Sequence, residues 1–99
     1  MNIEEMIQKG FAYIQKSKLG QLFAALYNLE CTCTWDKCII KITPCCDIYL
    51  KISAVDESIS NKPYEVKFYE RIKGNTFRLR NTEYWELKDI LMYVIQNWD

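Results

Sequence analysis

The sequence predicts an α+β domain: an antiparallel meander sheet of four or five strands, with one or more N-terminal helical segments and a C-terminal helix packed on one face. Three observations carry this. Apolar residues recur at helical spacing near the N-terminus, as Ile3, Met6, Ile7, Phe11 and Ile14, then as Leu22, Phe23, Leu26 and Leu29. From Cys31 to Arg80 the pattern changes to a period of two, rich in Thr, Ile, Tyr and Val. Leu87, Ile90, Leu91, Val94, Ile95 and Trp98 then return to a single helix face. Strands joined by tight turns pair as antiparallel neighbours, and helices at both ends of the chain can cover one side of such a sheet.

Each element has its own warrant. Asn2 is a competent N-cap, and Glu4 and Glu5 suit the electropositive first turn of a helix. The apolar periodicity stumbles at Ser17-Lys18-Leu19-Gly20, so two helices are expected to meet at Gly20. Cys31 to Trp35 and Cys38 to Thr43 read as strands around an Asp36-Lys37 turn. Pro44, lacking the N–H that a ladder needs, is expected to end the second strand and open a turn reaching Asp47. Ile48, Leu50, Ile52 and Ala54 alternate with Tyr49, Lys51, Ser53 and Val55, and Asp56 to Pro63 is a polar loop. Tyr64, Val66, Phe68 and Ile72 alternate with Glu65, Lys67, Tyr69, Arg71 and Lys73. Gly74-Asn75 closes a hairpin into Thr76 to Arg80, with Phe77 and Leu79 expected to face the core. Thr82 or Asn81 is expected to cap the last helix, which then carries Tyr84, Trp85 and Tyr93 as well, Trp85 and Tyr93 at the margin of its apolar stripe.

The chain of 99 residues reads as one domain spanning 1–99. Thirteen basic and thirteen acidic residues cancel, which argues against a strongly basic general nucleic-acid binder and against an acidic mimic of DNA. Zero net charge also removes colloidal repulsion, so a homodimer is one expectation. The N-terminus opens with acidic residues and has no uninterrupted apolar run, unlike a signal peptide. The apolar stretches Leu22 to Tyr27 and Ile90 to Ile95 are too short to span a bilayer, so no membrane partner is expected. Five Cys without a secretion signal point to free thiols and a cytoplasmic protein.

The composition also speaks against catalysis. With no His, the commonest general base and the usual partner of a Ser or Cys nucleophile are missing. Three Gly, at positions 10, 20 and 74, make no phosphate-binding loop. The expectation is therefore a non-enzymatic protein with no catalytic residues and no cofactor. Cys31, Cys33, Cys38, Cys45 and Cys46 fall close together, yet their spacing does not match zinc knuckles. Cys packs well as a small apolar residue in strands, and that reading outweighs a small zinc-stabilised Cys-rich domain.

The hairpin from Tyr64 to Arg80 is the more informative cluster. In a plain two-residue hairpin Arg71 lies opposite Arg78 and Tyr69 opposite Arg80, so one outward face carries Lys67, Tyr69, Arg71, Lys73, Arg78 and Arg80. Like charges directly across a strand pair are destabilising, so these six are the candidate binding residues for something anionic. An ordinary solvated sheet face is the competing reading, because an exposed face must be polar in any case. An acidic protein surface is the leading partner. A nucleotide or single-stranded nucleic acid is the alternative, since Tyr and Arg suit base stacking and phosphate pairing.

The residue usage, rich in Ile, Lys, Asn and Tyr, resembles in type the small proteins of low-GC bacteria, their phages and mobile elements. That resemblance implies a small protein that binds and inhibits a larger host protein, such as a component of a defence system.

Overall fold

The computed structural model describes residues 17–97; the helix predicted around Ile3 to Ile14, and Trp98, lie outside the described residues. Seven elements follow one another: α1 (Lys18–Asn28), β1 (Cys33–Asp36), β2 (Ile39–Cys45), β3 (Ile48–Ala54), β4 (Tyr64–Lys73), β5 (Thr76–Trp85) and α2 (Leu87–Asn97). The five strands pair in sequence order, each antiparallel to the next, as the meander expectation requires.

Helix α1 starts earlier than the periodicity suggested. Ser17 is its N-cap, extended at φ −93 and ψ 149, and its hydroxyl accepts the Gly20 N–H at 2.8 Å. Gly20 therefore lies inside the first turn, buried, and the expected junction at Gly20 is replaced by a capped start at Ser17. Leu19, Leu22, Phe23 and Leu26 form its buried face.

Alternation places Ile40 and Ile42 of β2, Leu50 and Ile52 of β3, and Val66 of β4 on the inner face of the sheet, all with 0 % exposure. Against them pack Leu22 and Leu26 of α1 and Ile90 and Val94 of α2. Tyr64, 2 % exposed, keeps its phenol satisfied by donating to the Lys18 carbonyl, and Lys18 Nζ donates to Val55 O at 2.8 Å. These two bonds pin the start of α1 to the sheet. Among the described residues no buried side-chain N or O atom lacks a partner.

Several boundaries differ from expectation, each for a local reason. The first hairpin turns at Lys37-Cys38, with Lys37 at φ +55 and Trp35 Nε1 donating to its carbonyl at 3.0 Å. Pro44 stays inside β2, and pairing with β3 lapses between Ile42 and Cys45, where a ladder N–H is missing. The largest difference is at β5. Asn81 to Trp85 continue the strand, pairing Asn81 with Phe68 and Trp85 with Tyr64, so neither Asn81 nor Thr82 caps a helix. The cap forms at Glu86, whose N–H donates to Asp89 Oδ2 at 3.0 Å. Trp85 consequently sits on the sheet, packed against Phe68 and Tyr93 at 5.3 and 5.6 Å. On α2 the buried residues are Ile90 and Val94, while Ile95 is 64 % exposed rather than part of the core stripe. Among the described residues no helix is long and apolar enough to cross a membrane.

Candidate functional site

Both helices lie on one side of the sheet, so its outer face is open among the described residues. What stands there follows from strand parity and register. Thr34 of β1 pairs with Lys41 of β2, Lys41 with Lys51 of β3, Lys51 with Lys67 of β4, and Lys67 with Thr82 of β5. Three lysines thus stand directly opposite one another on three neighbouring strands. The next outward row is apolar: Tyr49 pairs with Tyr69, and Tyr69 with Leu79. Beyond it Arg71 pairs with Phe77. The outer face carries a cationic row beside an aromatic one.

The two rows lean on each other. Tyr49 and Tyr69 stack at 4.7 Å with an interplanar angle of 10°, and Phe77 tilts against Tyr49 at 4.9 Å. Lys41 Nζ lies 4.3 Å from the centre of the Tyr49 ring, and Lys51 Nζ 5.3 Å from that of Tyr69. Lys67 meets Glu65 at 3.7 Å, and Tyr84 donates to the same carboxylate at 3.3 Å. The rings therefore steady Lys41 and Lys51, while strand spacing of about 4.8 Å sets the separation of the three charges. Against this favourable support stands the direct opposition of like charges, which destabilises a sheet.

The six residues singled out in the sequence do not share one face. Lys67, Tyr69 and Arg71 stand on the open face, and Lys73 is exposed at the end of β4, opposite Thr76. Arg78 and Arg80 do not. Ile72 of β4 and Arg80 of β5 are extra residues at two register shifts, which turn the expected Arg71–Arg78 opposition into Arg71–Phe77 and Glu70–Arg78. Phe77 and Leu79 accordingly face outward rather than into the core, and Ile72 is 56 % exposed at its bulge. Arg78 holds Glu70 Oε1 at 3.1 and 3.2 Å, and Arg80 holds Oε2 at 2.8 Å. The Arg78 guanidinium, and with it Arg80, keeps the Glu70 carboxyl below the ordinary glutamate range.

Arg71 has a different task. Its guanidinium donates to Cys46 O at 2.7 and 3.2 Å and to Gly74 O, and it meets Asp47 at 3.3 Å. It also lies 5.0 Å above the Phe77 ring. One side chain thereby ties the Cys46-Asp47 turn to the Gly74-Asn75 turn, where Gly74 takes φ +55 at the first loop position. Phe77 and Leu79 take the places opposite Arg71 and Tyr69 that Arg78 and Arg80 were expected to hold, while Lys41, Tyr49 and Lys51, which the hairpin reading left out, extend the open face across β3 and β2. Their signal was the same alternation, carried two strands further.

The cysteines are dispersed by the fold. All five are free, and no group of three or more Cys, His, Asp or Glu among the described residues is placed to hold a metal ion. Cys33 lies on the inner face opposite Ile42; Cys38 and Cys46 are exposed in turns. Cys45 is half-buried in β2 opposite Ile48 rather than in the turn expected from Pro44 to Asp47. Burial, and then the neighbouring Cys31, push the Cys33 thiol above its ordinary value.

No protein family matches the chain, and neither a curated protein nor a solved structure does so.

Proposed function

We propose that this protein is a non-enzymatic interaction module that binds an acidic surface of a larger protein through its open sheet face and so modulates that partner. The observation that supports this reading is the Lys41–Lys51–Lys67 row. Three directly opposed cations work against the fold, and an anionic partner would turn that opposition into attraction. Tyr49, Tyr69, Phe77 and Leu79 beside them supply the aromatic and aliphatic contact that protein interfaces favour. Arg78 and Arg80, already neutralised in part by Glu70, stand outside the contact surface.

A single-stranded nucleic acid fits this face less well. Stacking needs free ring faces. Here Tyr49 has Tyr69 on one side and Lys41 within cation–π distance, and Tyr69 has Tyr49 and Lys51. A base would have to displace those lysines.

The test compares capture from native cell extract by immobilised wild-type protein and by a Lys41→Glu/Lys51→Glu/Lys67→Glu variant shown to be folded by circular dichroism. A protein retained by the first and lost from the second is the expected result. Equal retention by both would overturn the proposal, and retention that disappears on nuclease treatment would transfer the face to nucleic acid.

A further inference from the structure

The two ends of the sheet are very unequal. In the order β1-β2-β3-β4-β5, the terminal strands each have one side unpaired among the described residues. β1 is short, with 4 residues, whereas β5 runs for 10, from Thr76 to Trp85. Edges are blunted by short length, Lys, Pro, bulges and inward-pointing charges; β5 is long and has no Lys or Pro, but it has a bulge at Arg80 and charges on its inner face, Arg78 and Glu83. Phe77, Arg78, Leu79, Thr82, Glu83 and Tyr84 line this edge as alternating contacts above and below the sheet.

We propose that β5 is the seam of a symmetric dimer, pairing antiparallel with β5 of a second copy of this chain so that Arg78 lies opposite Glu83 of that copy. A two-fold axis perpendicular to the sheet keeps inner side chains inner and outer side chains outer, so opposed residues must share a face. In an unbroken strand that rule allows only pairings between residues an even number apart, so Arg78 could not stand opposite Glu83. The bulge at Arg80 resets the parity. Arg78 shares the inner face with Glu70 before it, and Glu83 shares the inner face with Val66 after it. Phe77 and Leu79 stand outward before the bulge, Thr82 and Tyr84 outward after it.

With the axis between Arg80 and Asn81, the pairs on either side of the bulge match in face. Arg78 meets Glu83, Phe77 meets Tyr84 and Leu79 meets Thr82, and symmetry makes each contact twice. Charge agrees with the register. Arg78 and Arg80 share the one carboxylate of Glu70, leaving a surplus of positive charge. Among the described residues Glu83 accepts only from the Asn81 amide, at 3.1 Å, and it carries the charge that the surplus lacks. A bulge commonly protects an edge by twisting it away from partners. In β5 it also makes the strand complementary to itself. The dimer would join two sheets into one and place both lysine rows on the same side, but it stands on observations separate from those rows.

Sedimentation equilibrium of the wild type, Glu83→Arg, and the swap Arg78→Glu/Glu83→Arg tests the register. A wild-type dimer is expected. Glu83→Arg turns both symmetric contacts into Arg–Arg pairs and should weaken it about tenfold or more. The swap restores opposite charges across the axis and should return the dimer to near wild-type strength. A wild type that stays monomeric, or a dimer indifferent to Glu83→Arg, would overturn the proposal. Amide hydrogen exchange of wild-type residues 76–85 gives a readout that needs no variant. Protection of the β5 amides that do not bond β4 should rise with protein concentration; if those amides are protected equally at all concentrations, something other than a second copy covers the edge, and the proposal would fall.

Discussion

The two faces of this sheet can be compared one residue apart along the same strands. On the inner side Trp35, Ile40, Ile52 and Val66 lie opposite one another across β1 to β4. On the outer side the adjacent residues Thr34, Lys41, Lys51 and Lys67 do the same. The inner row gains from every neighbour it has, because apolar surface leaves water at about 25 cal/mol per Å² whichever apolar group covers it. The outer row opposes itself, cation against cation, and relies on Tyr49 and Tyr69 to steady two of its members. Stability is concentrated on one parity of the strands, and opposed positive charge on the other.

The largest effect should come from breaking the inner row. Ile52 has 0 % exposure and lies between Ile40 and Val66. Ile52→Ala is expected to lower the free energy of unfolding by about 2–5 kcal/mol, read from urea denaturation. A loss under about 1 kcal/mol would mean that the site collapses around the smaller side chain and that the inner row is not closely packed.

The hairpin tip sharpens the comparison, because there a charged side chain on the outer face is structural. Arg71 bonds the carbonyls of Cys46 and Gly74 and meets Asp47. Removing it leaves two turns without their tie, so Arg71→Ala should cost about 1–2 kcal/mol. Lys at this position cannot make the forked contact and should recover only part of that loss. A full rescue by Arg71→Lys would show that charge alone, not the fork between two turns, is what the site needs. The sequence does not distinguish Arg71 from Lys67 as a binding candidate; the contacts of Arg71 give it a structural task that Lys67 lacks.

Much of the architecture was legible because it depends on short-range pattern. Period-two alternation and the Gly74-Asn75 turn are local signals, and both strands of that hairpin and the meander itself follow from them. The failures have two physical sources. Asn81 to Trp85 has good capping residues and aromatic spacing for a helix, but β4 is long enough to pair all of it, and sheet pairing overrode local preference. Bulges at Ile72 and Arg80 leave no mark that composition reveals, yet each reverses the face of every residue beyond it. That is why Phe77 and Leu79 turned outward and Arg78 and Arg80 left the predicted face. The lysine row was missed for a third reason. Each of Lys41, Lys51 and Lys67 is an ordinary outward residue in its own strand, and only two successive registers bring them into line.

The smallest effect is the most discriminating, because its sign differs from that of nearly all substitutions. Lys51 stands in the middle of the row, facing Lys41 on one side and Lys67 on the other. Lys51→Glu converts two repulsive pairs into two attractive ones, each worth about 0.2–1 kcal/mol across a sheet. It also removes the Lys51–Tyr69 contact, a loss of about 0.5–1 kcal/mol at a partly exposed site. The balance should be a gain of about 0.5 kcal/mol, seen as a small rise in melting temperature at low ionic strength that shrinks as salt screens the charges. The same change should weaken capture of an acidic partner. A residue whose replacement improves the fold and harms binding is present for the binding. A fall in melting temperature that salt does not alter would place Lys51 among the side chains that support the sheet, and the outer face would then differ from the inner one in chemistry but not in purpose.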